Sequence, residues 1–313
     1  MTKNTRGATL HTLIITSKIK TMTTKSVTVI GLGTMGAALA NAMLAKGSKV
    51  TVWNRDKTKA ASLAAKGAFV AESITAAIKA SPLLLICVSD YKATTGIFAE
   101  AEVKELLPGR TLVQLSTGTP KEARAFDAWA KENGANCLNG DILAWPRQIG
   151  TEAATITFSG DNEIIKRYAT ELNALAGNIN FVGEEPGTSS VLFSAVMAYL
   201  AGNWIGFCHG ALICENEGFR PDAFGELIHN ISPILAMESK HMGQVIQHNK
   251  FTDPESTINT TGLDLHLLVQ QAEEAGISKE LPQFAANIFQ RAIDAGFGQE
   301  EHAAIIKVMR NAS

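Results

Sequence analysis

VTVIGLGTMGAAL, residues 27–39, joins a run of β-branched residues to a glycine-rich turn and an apolar segment. Gly31 permits a tight turn after a strand, Gly33 lets the backbone approach a pyrophosphate, and Gly36 lets a helix pack closely on that strand. The N-terminus of such a helix offers unpaired N–H donors to an anion. The stretch therefore predicts a strand, a turn and a helix that bind a dinucleotide.

Outward from this stretch, short β-branched runs alternate with amphipathic segments. The runs are SVTVI, KVTVW, LLLICV and TLVQL, followed by TITFS and INFVG on either side of a helical segment at residues 162–176. Such alternation is typical of βαβ units and of a mostly parallel sheet. We predict the α/β class, with a doubly wound N-terminal domain over residues 25–186 that binds the dinucleotide.

The strand signals stop after Pro186. Residues 187–313 read as helices with breaks at Pro221, Pro233, Pro254 and Pro282, because proline interrupts helical hydrogen bonding. We predict a long first helix and an all-helical C-terminal domain.

The first helix of that domain contains no Asp, Glu, Lys or Arg between residues 189 and 214. This length could cross a bilayer, but Asn203 and His209 interrupt the run and neither flank is basic. Small residues recur every four positions and form one stripe, which lets two backbones approach closely; they are Ser194, Ala198, Gly202, Gly206, Gly210 and Cys214. The pattern favours the buried axis of a soluble assembly and no membrane span.

The second predicted strand and the loop after it are VTVWNRDKTKA, residues 50–60. In a dinucleotide-binding domain this loop contacts the adenosine ribose. An acidic residue here would bind the ribose hydroxyls of NAD. Asn54 and Arg55 stand there instead, with Lys57 and Lys59 one turn on, and these groups favour a 2′-phosphate. Asp56 opposes that preference unless it turns outward. The loop predicts NADPH; the alternative is a solvated cluster of cations.

Composition excludes several function classes. The chain has 313 residues, 46% hydrophobic and 19% charged, with a net charge of −2, so it resembles a soluble globular protein without the basic surface that nucleic acid requires. Its cysteines, Cys87, Cys137, Cys208 and Cys214, form no CxxC pair. We predict reduced, buried thiols, no metal site and a cytoplasmic location.

Residues 1–24 are predicted to be a disordered N-terminal extension. They are rich in Thr and in Lys and Arg and contain no acidic residue, which superficially resembles a transit peptide. A start assigned too early is a further alternative, since Met22 lies just before the first strand.

Six segments together resemble the β-hydroxyacid dehydrogenase superfamily, and within it the NADPH-dependent imine reductases and reductive aminases. They are GLGTMGAALANAMLAKG, WNRDKTKA, CVSD, LSTGTP, GDILAWP and GEEPGTSS. The resemblance runs from about Ser26 to the C-terminus. It implies a Rossmann domain, a long interdomain helix and a helical second domain. It also implies a homodimer with intertwined helices, whose active sites lie between one subunit's Rossmann domain and the partner's helices.

The resemblance also assigns roles to residues. Those that would contact NADPH are Gly31, Leu32, Gly33, Thr34, Met35, Gly36, Asn54, Arg55, Lys59, Cys87, Val88, Ser89, Ser116, Thr117 and Gly118. Thr117 would also lie near the substrate, whose pocket would include Trp145, Ser190, Met197 and Ile234. Independently, a Ser-Thr-Gly turn at the carboxyl end of a parallel strand is where doubly wound folds bind ligands, although LSTGTP could be only a turn and a helix cap.

Three departures from the superfamily pattern concern catalysis. Phe193 stands at the position of the family lysine or acid, and Met197 at that of an asparagine; Ala144-Trp145-Pro146 replaces a Ser-Gly-Gly carboxylate anchor. We predict an NADPH-dependent reductase of a C=N bond in a small-molecule substrate. The alternatives are a 3-hydroxyacid dehydrogenase or semialdehyde reductase of the same superfamily, and a non-catalytic NADPH-binding protein.

Overall fold

The structure is a computed structural model and describes residues 26–310. The chain divides into two compact units, of which the first ends at Met197 and the second begins at Ala198. The predicted N-terminal extension lies outside the described residues.

One sheet of eight strands forms the centre of the described part of the first unit, in the order β3-β2-β1-β4-β5-β6-β7-β8. All neighbouring pairs are parallel except β6 and β7. The predicted α/β class is confirmed. The strands are β1 (Val27–Ile30), β2 (Val50–Trp53), β3 (Phe69–Val70), β4 (Leu83–Ile86), β5 (Thr111–Gln114), β6 (Asn136–Leu143), β7 (Thr155–Gly160) and β8 (Asn178–Phe181).

Helices cover both faces of this sheet. Alternate strand residues point to opposite faces; Leu83 and Leu85 pack in one apolar cluster, Leu84 and Ile86 in the other, and all four are fully buried. Burial on both faces explains the continuous apolar strands. The helices are α1 (Thr34–Ala45), α2 (Ala61–Ala64), α3 (Ile74–Ala80), α4 (Tyr91–Ile97), α5 (Ala101–Lys104), α6 (Pro120–Glu132), α7 (Asn162–Arg167) and α8 (Ala169–Asn173).

The remaining chain is helical, as predicted. Helix α9 (Thr188–Asn216) begins in the first unit and ends in the second. It is long and apolar enough, by length and composition, to cross a membrane. The further helices are α10 (Pro221–His248), α11 (Ile258–Glu274), α12 (Glu280–Asp294) and α13 (Ile306–Met309).

The predicted helix break at Pro233 is wrong, because α10 continues through it. Proline has no N–H to donate to the carbonyl four residues earlier, which belongs to His229. The Ser232 hydroxyl donates to that carbonyl oxygen at 2.8 Å instead. Pro282 lies in the first turn of α12. The N–H groups of a first turn have no intrahelical acceptor, so proline is tolerated there and does not interrupt the helix.

The prediction of buried cysteines is only partly right. All four thiols are free and Cys137 is buried, but Cys208 is exposed and the other two are half-buried. Cys208 lies on α9, and the most apolar stretch of this helix is not buried by the rest of its own chain. An apolar sequence context therefore does not identify a buried thiol on this helix.

Candidate active site

The candidate site begins where the strand order changes direction, between β1 and β4. Doubly wound sheets bind ligands in the crevice at the carboxyl ends of such strands. Gly31 follows β1 with φ of 95°, and a Cβ there would lie 2.2 Å from the carbonyl oxygen of Cys87, which follows β4. A Cβ on Gly36 would lie 2.0 Å from the Gly31 carbonyl oxygen. Only glycine fits at these two positions.

The third glycine of the motif has different surroundings. Gly33 is exposed, and a Cβ there would meet no protein atom within 4 Å. It is the N-cap of α1 and provides no side-chain cap, so the first-turn N–H groups have no such partner. Thr34 is exposed beside it, while Leu32 is buried and Met35 is half-buried. Open space before uncapped N–H donors is what a pyrophosphate requires.

The loop after β2 is attached to this glycine turn by Asn54. Its Oδ1 accepts a hydrogen bond from the Leu32 N–H at 3.0 Å, and its Nδ2 donates to the Asp56 carbonyl at 2.9 Å. The Asp56 carboxylate accepts from the Thr58 hydroxyl and N–H. These bonds, and the charge of Lys59 to a smaller degree, lower the pKa of Asp56. Arg55 is exposed on the same loop.

The loops after β4 and β5 are joined by a hydrogen bond from the Val88 N–H to Ser116 Oγ at 3.0 Å. Ser89 and Thr117 are exposed, whereas Ser116 is buried. Burial raises the pKa of the Cys87 thiol to about 11, so the thiol is neutral near pH 7. Hydrogen bonds thus hold the predicted cofactor loops in one arrangement.

The Ser-Thr-Gly turn also starts a helix. Thr119 caps α6 and forms a capping box with Glu122, so the interpretation as a helix cap is correct for the end of the LSTGTP segment. A Cβ on Gly118 would lie 2.2 Å from the Tyr91 ring, the first residue of α4. The turn therefore packs against Tyr91, whose hydroxyl donates to Asn139 Oδ1 at 3.0 Å.

A network of buried polar groups connects this region with the first turn of α9. Ser190 Oγ donates to Asp141 Oδ2 at 3.1 Å. Ser159 Oγ accepts from the Ser189 N–H at 3.1 Å and donates to the Pro186 carbonyl at 2.8 Å. The start of α9 is thereby fixed on strands β6 and β7.

Comparison with known proteins gives matches along almost the whole described chain. A model of the NAD binding domain of 6-phosphogluconate dehydrogenase matches residues 26–183, and a model of the NADPH-dependent reductive aminase-like C-terminal domain matches residues 185–311. The NADPH-dependent reductive aminase of Aspergillus oryzae is 28% identical over 91% of this chain and 97% of its own.

Solved structures of imine reductases and reductive aminases also resemble this chain. The imine reductase of Myxococcus stipitatus in complex with NADP+ superposes with a TM-score of 0.86, at 30% identity over 90% of this chain and 99% of its own. The chain belongs to the imine reductase and reductive aminase family. The reductive aminase of Aspergillus terreus in complex with NADPH and ethyl-5-oxohexanoate has a TM-score of 0.85 at 30% identity, over 92% of this chain and all of its own. The resemblance inferred from the sequence is confirmed.

In this imine reductase family member, the residues predicted to line the substrate pocket have different environments. Ser190 is buried, Phe193 is half-buried and Met197 is partly exposed along α9. Trp145 is 57% exposed just beyond β6, and Ile234 is 67% exposed on α10 in the second unit. The structure places Ser190 against Asp141, and it shows no ionisable side chain at positions 193 and 197.

Three functional candidates of this reductase were missed by the sequence analysis: Tyr91, Asn139 and Asp141. The signal lay in or beside quoted segments: Tyr91 directly follows CVSD, Asn139 directly precedes GDILAWP, and Asp141 lies within it. Alternation of polar residues with Gly140 and Ile142 is the pattern of a strand with one polar face.

Proposed function

We propose that the protein reduces a C=N bond to an amine with NADPH. The observation that carries the proposal is the absence of an ionisable side chain at positions 193 and 197 of α9 in a member of the imine reductase family. Hydride transfer to a ketone creates an alkoxide that needs a proton donor, a contribution of about 10² to 10⁴ in rate. An iminium ion already carries its proton, so hydride transfer only neutralises it.

The residues at the carboxyl ends of β1 and β4 fit a dinucleotide. The open space at Gly33 and the uncapped N-terminus of α1 would hold the pyrophosphate, with the backbone of residues 31–36 around it. The loop residues Cys87, Val88 and Ser89, and the turn of Ser116, Thr117 and Gly118, would hold the nicotinamide half. When bound, NADPH supplies the hydride.

The loop after β2 would hold the adenosine 2′-phosphate. Arg55 and Lys59 are exposed there, and both are cations suited to a phosphate. The Asp56 carboxylate, the group that opposes a phosphate, is engaged by Thr58. Asn54 serves first to fix the loop on the glycine turn through Leu32.

Replacing Arg55 with alanine is expected to weaken NADPH binding about tenfold or more, because a charge-assisted hydrogen bond contributes roughly 1.5–3 kcal/mol. The affinity for NADH, which lacks the phosphate, should change little. Titrations of both cofactors test this. Lys66→Ala is the control, since Lys66 is an exposed cation that donates to Asn41 rather than belonging to the loop. Equal losses for NADPH and NADH would contradict the assignment.

The substrate would lie beside Thr117, with Phe193, Met197, Trp145 and Ser190 around it. In a homodimer, Ile234 of α10 would contribute through the helical domain. An apolar site excludes water and positions the C=N carbon for hydride transfer. It offers no anchor for a substrate carboxylate at Trp145, which distinguishes the proposal from a hydroxyacid dehydrogenase.

Phe193→Asp tests where the site lies on α9. A carboxylate beside the nicotinamide would stabilise a bound iminium, so turnover of a cyclic imine should persist or rise while the melting temperature falls somewhat. NADPH affinity, melting temperature and imine turnover are measured on this one variant. A folded, NADPH-binding variant with the parent's kinetics on every imine would show that position 193 is remote from the substrate.

We further propose a cytoplasmic homodimer with intertwined helices, a Rossmann domain at residues 25–186 and a helical domain at residues 187–313. Large apolar side chains are exposed along α9 to α12, and such surfaces indicate an interaction partner. Examples are Trp204, Ile205, Leu227, Met237, Leu263, Leu267 and Phe284. A second copy, rather than a bilayer, fits the small-residue stripe of α9, and the net charge of −2 favours no nucleic-acid partner.

A further inference from the structure

A buried carboxyl lies at the level of the Ser-Thr-Gly turn. Asp141 is 4% exposed and belongs to β6. In the parallel pair of β5 and β6, Gln114 lies opposite Asn139, so two residues further along the strand direction Asp141 reaches the level of Ser116. Asn139 and Asp141 share one face of the sheet, and Asn139 bonds the Tyr91 ring that packs on Gly118.

The carboxyl is directly connected with the helix that carries Phe193. Ser190 Oγ donates to Asp141 Oδ2 at 3.1 Å. Phe193 follows Ser190 by three residues, a spacing that places Cβ atoms about 5–6 Å apart on one helix face. Asp141 also lies at the N-terminal turn of α9, where the helix dipole favours a negative charge.

The surroundings of Asp141 determine the pH above which its carboxyl is negatively charged. Burial raises the pKa of Asp141, while hydrogen bonds from Ser189 and Ser190 act against burial. The facing titratable group is Tyr91 of α4, whose own pKa is raised by burial and then by Asp141, with smaller effects of Cys137 and Glu122. On β7 the facing residue is Thr157, which does not titrate near neutral pH. In the described part of the chain, no cation contributes to the shift of Asp141.

We propose that Asp141 is an electrostatic positioning residue, whose carboxylate stabilises the positive charge of an iminium substrate and of the oxidised nicotinamide without touching either. The inference rests on the proposed function in placing the nicotinamide beside Thr117 and Phe193. Position 193 carries no charge. The other carboxylates near the Ser-Thr-Gly turn, Asp90 and Glu122, are exposed and accept hydrogen bonds at the starts of α4 and α6, so Asp141 is the buried acidic group of this region. The same charge distinguishes NADP+ from NADPH, which differ in the charge of the nicotinamide ring.

The binding test uses Asp141→Asn, which keeps the size of the side chain and an acceptor for Ser190 but removes the charge. We expect NADP+ affinity to fall about tenfold and NADPH affinity to change less than about twofold. In the parent, the preference for NADP+ should increase as pH rises through the pKa of Asp141, because the carboxylate forms above it. In the variant, the ratio of the affinities for NADP+ and NADPH should not change with pH in this range, because residue 141 no longer titrates.

Two further variants complete the binding test. Asp127→Asn removes another buried carboxyl, which accepts from Lys131 at 2.7 Å on α6, and should leave the NADP+/NADPH ratio unchanged. Ser190→Ala removes a hydrogen bond that lowers the pKa of Asp141, so the pH at which the NADP+ preference appears should move upward. This variant keeps the inference testable if Asp141→Asn does not fold, since an unmoved midpoint would overturn it.

The turnover test uses N-methyl-3,4-dihydroisoquinolinium, a permanent iminium cation that does not titrate. Its kcat/KM should rise with pH in the parent and remain lower and flat in Asp141→Asn. If the parent reduces no C=N compound, the proposed function fails while the NADP+/NADPH ratio still tests Asp141. If Asp141→Asn weakens both cofactors equally, or leaves their ratio and its pH dependence as in the parent, the inference is wrong whatever the substrate.

Discussion

Gly36→Ala is expected to lower the melting temperature and to weaken NADPH binding by at least about a hundredfold. Its Cβ would lie 2.0 Å from the Gly31 carbonyl oxygen, a backbone atom that cannot move unless α1 separates from β1. Overpacking of this kind costs about 1–3 kcal/mol in the free energy of unfolding. Thermal unfolding by circular dichroism and calorimetric titration with NADPH measure the two effects.

Gly33→Ala is the matched control for this prediction. Gly33 has φ of −66°, which alanine adopts readily, and no protein atom lies within 4 Å of its added Cβ. The melting temperature should therefore stay at the parent's value, while NADPH binding weakens about tenfold or more because the methyl group occupies the space of the pyrophosphate. A Gly33→Ala protein that binds NADPH as tightly as the parent would show that the phosphates bind elsewhere.

Gly206→Leu is expected to dissociate the proposed homodimer and to abolish turnover. In its own chain a Cβ on Gly206 meets nothing within 4 Å. Glycine is less favourable than alanine in a helix by roughly 0.8–1.0 kcal/mol, and leucine ranks next to alanine. An isolated subunit should thus become no less stable. Loss of the dimer in sedimentation velocity, together with a lower melting temperature, would then come from a side chain forced between two closely packed subunits.

Gly96→Leu provides the comparison for that experiment. Gly96 is also helical and also has nothing within 4 Å of an added Cβ, but it lies on α4 of the first unit. The variant should remain dimeric and active. If Gly206→Leu is as dimeric, as stable and as active as Gly96→Leu, the stripe on α9 does not face a partner.

The sequence was sufficient to predict the features of the fold that depend on the local spacing of residues. The glycines of residues 31–36 predict a strand, a turn and a helix because each glycine answers a local steric need, and the structure shows two of these contacts directly. The class of the fold followed from the alternation of apolar runs. The assignment of the loop after β2 to the 2′-phosphate rests on charge alone and stays a prediction.

Features that depend on neighbours distant in the sequence could not be predicted. No strand was predicted at β6, because glycine and aspartate are poor strand residues, yet pairing with β5 and β7 fixes the segment as a strand. The bond between Asn54 and Leu32 joins residues 22 positions apart. Helix α10 continues through Pro233 because the Ser232 hydroxyl satisfies the freed carbonyl, a compensation that residue propensities do not contain.

In the candidate site, too, local features could be predicted from the sequence and long-range contacts could not. Thr117 and the glycine loop lie on motifs with a defined spacing, from which the sequence predicts a cofactor site. Asp141 and Tyr91 meet the site only through α9 and α4, which the fold brings to the carboxyl ends of β5 and β6. No periodicity in the chain connects residue 91 with residue 139 or residue 141 with residue 190.

Reduction of C=N rather than C=O bonds by this protein is tested by comparing substrates at one NADPH concentration. The purified protein is given a cyclic imine, a small 2-keto acid and a semialdehyde acid at equal concentrations, and NADPH oxidation is followed. We expect the imine to be reduced at least about a hundredfold faster, in keeping with the missing proton donor. Faster reduction of the keto or semialdehyde acid, or tight NADPH binding with no turnover of any of the three, would contradict the account.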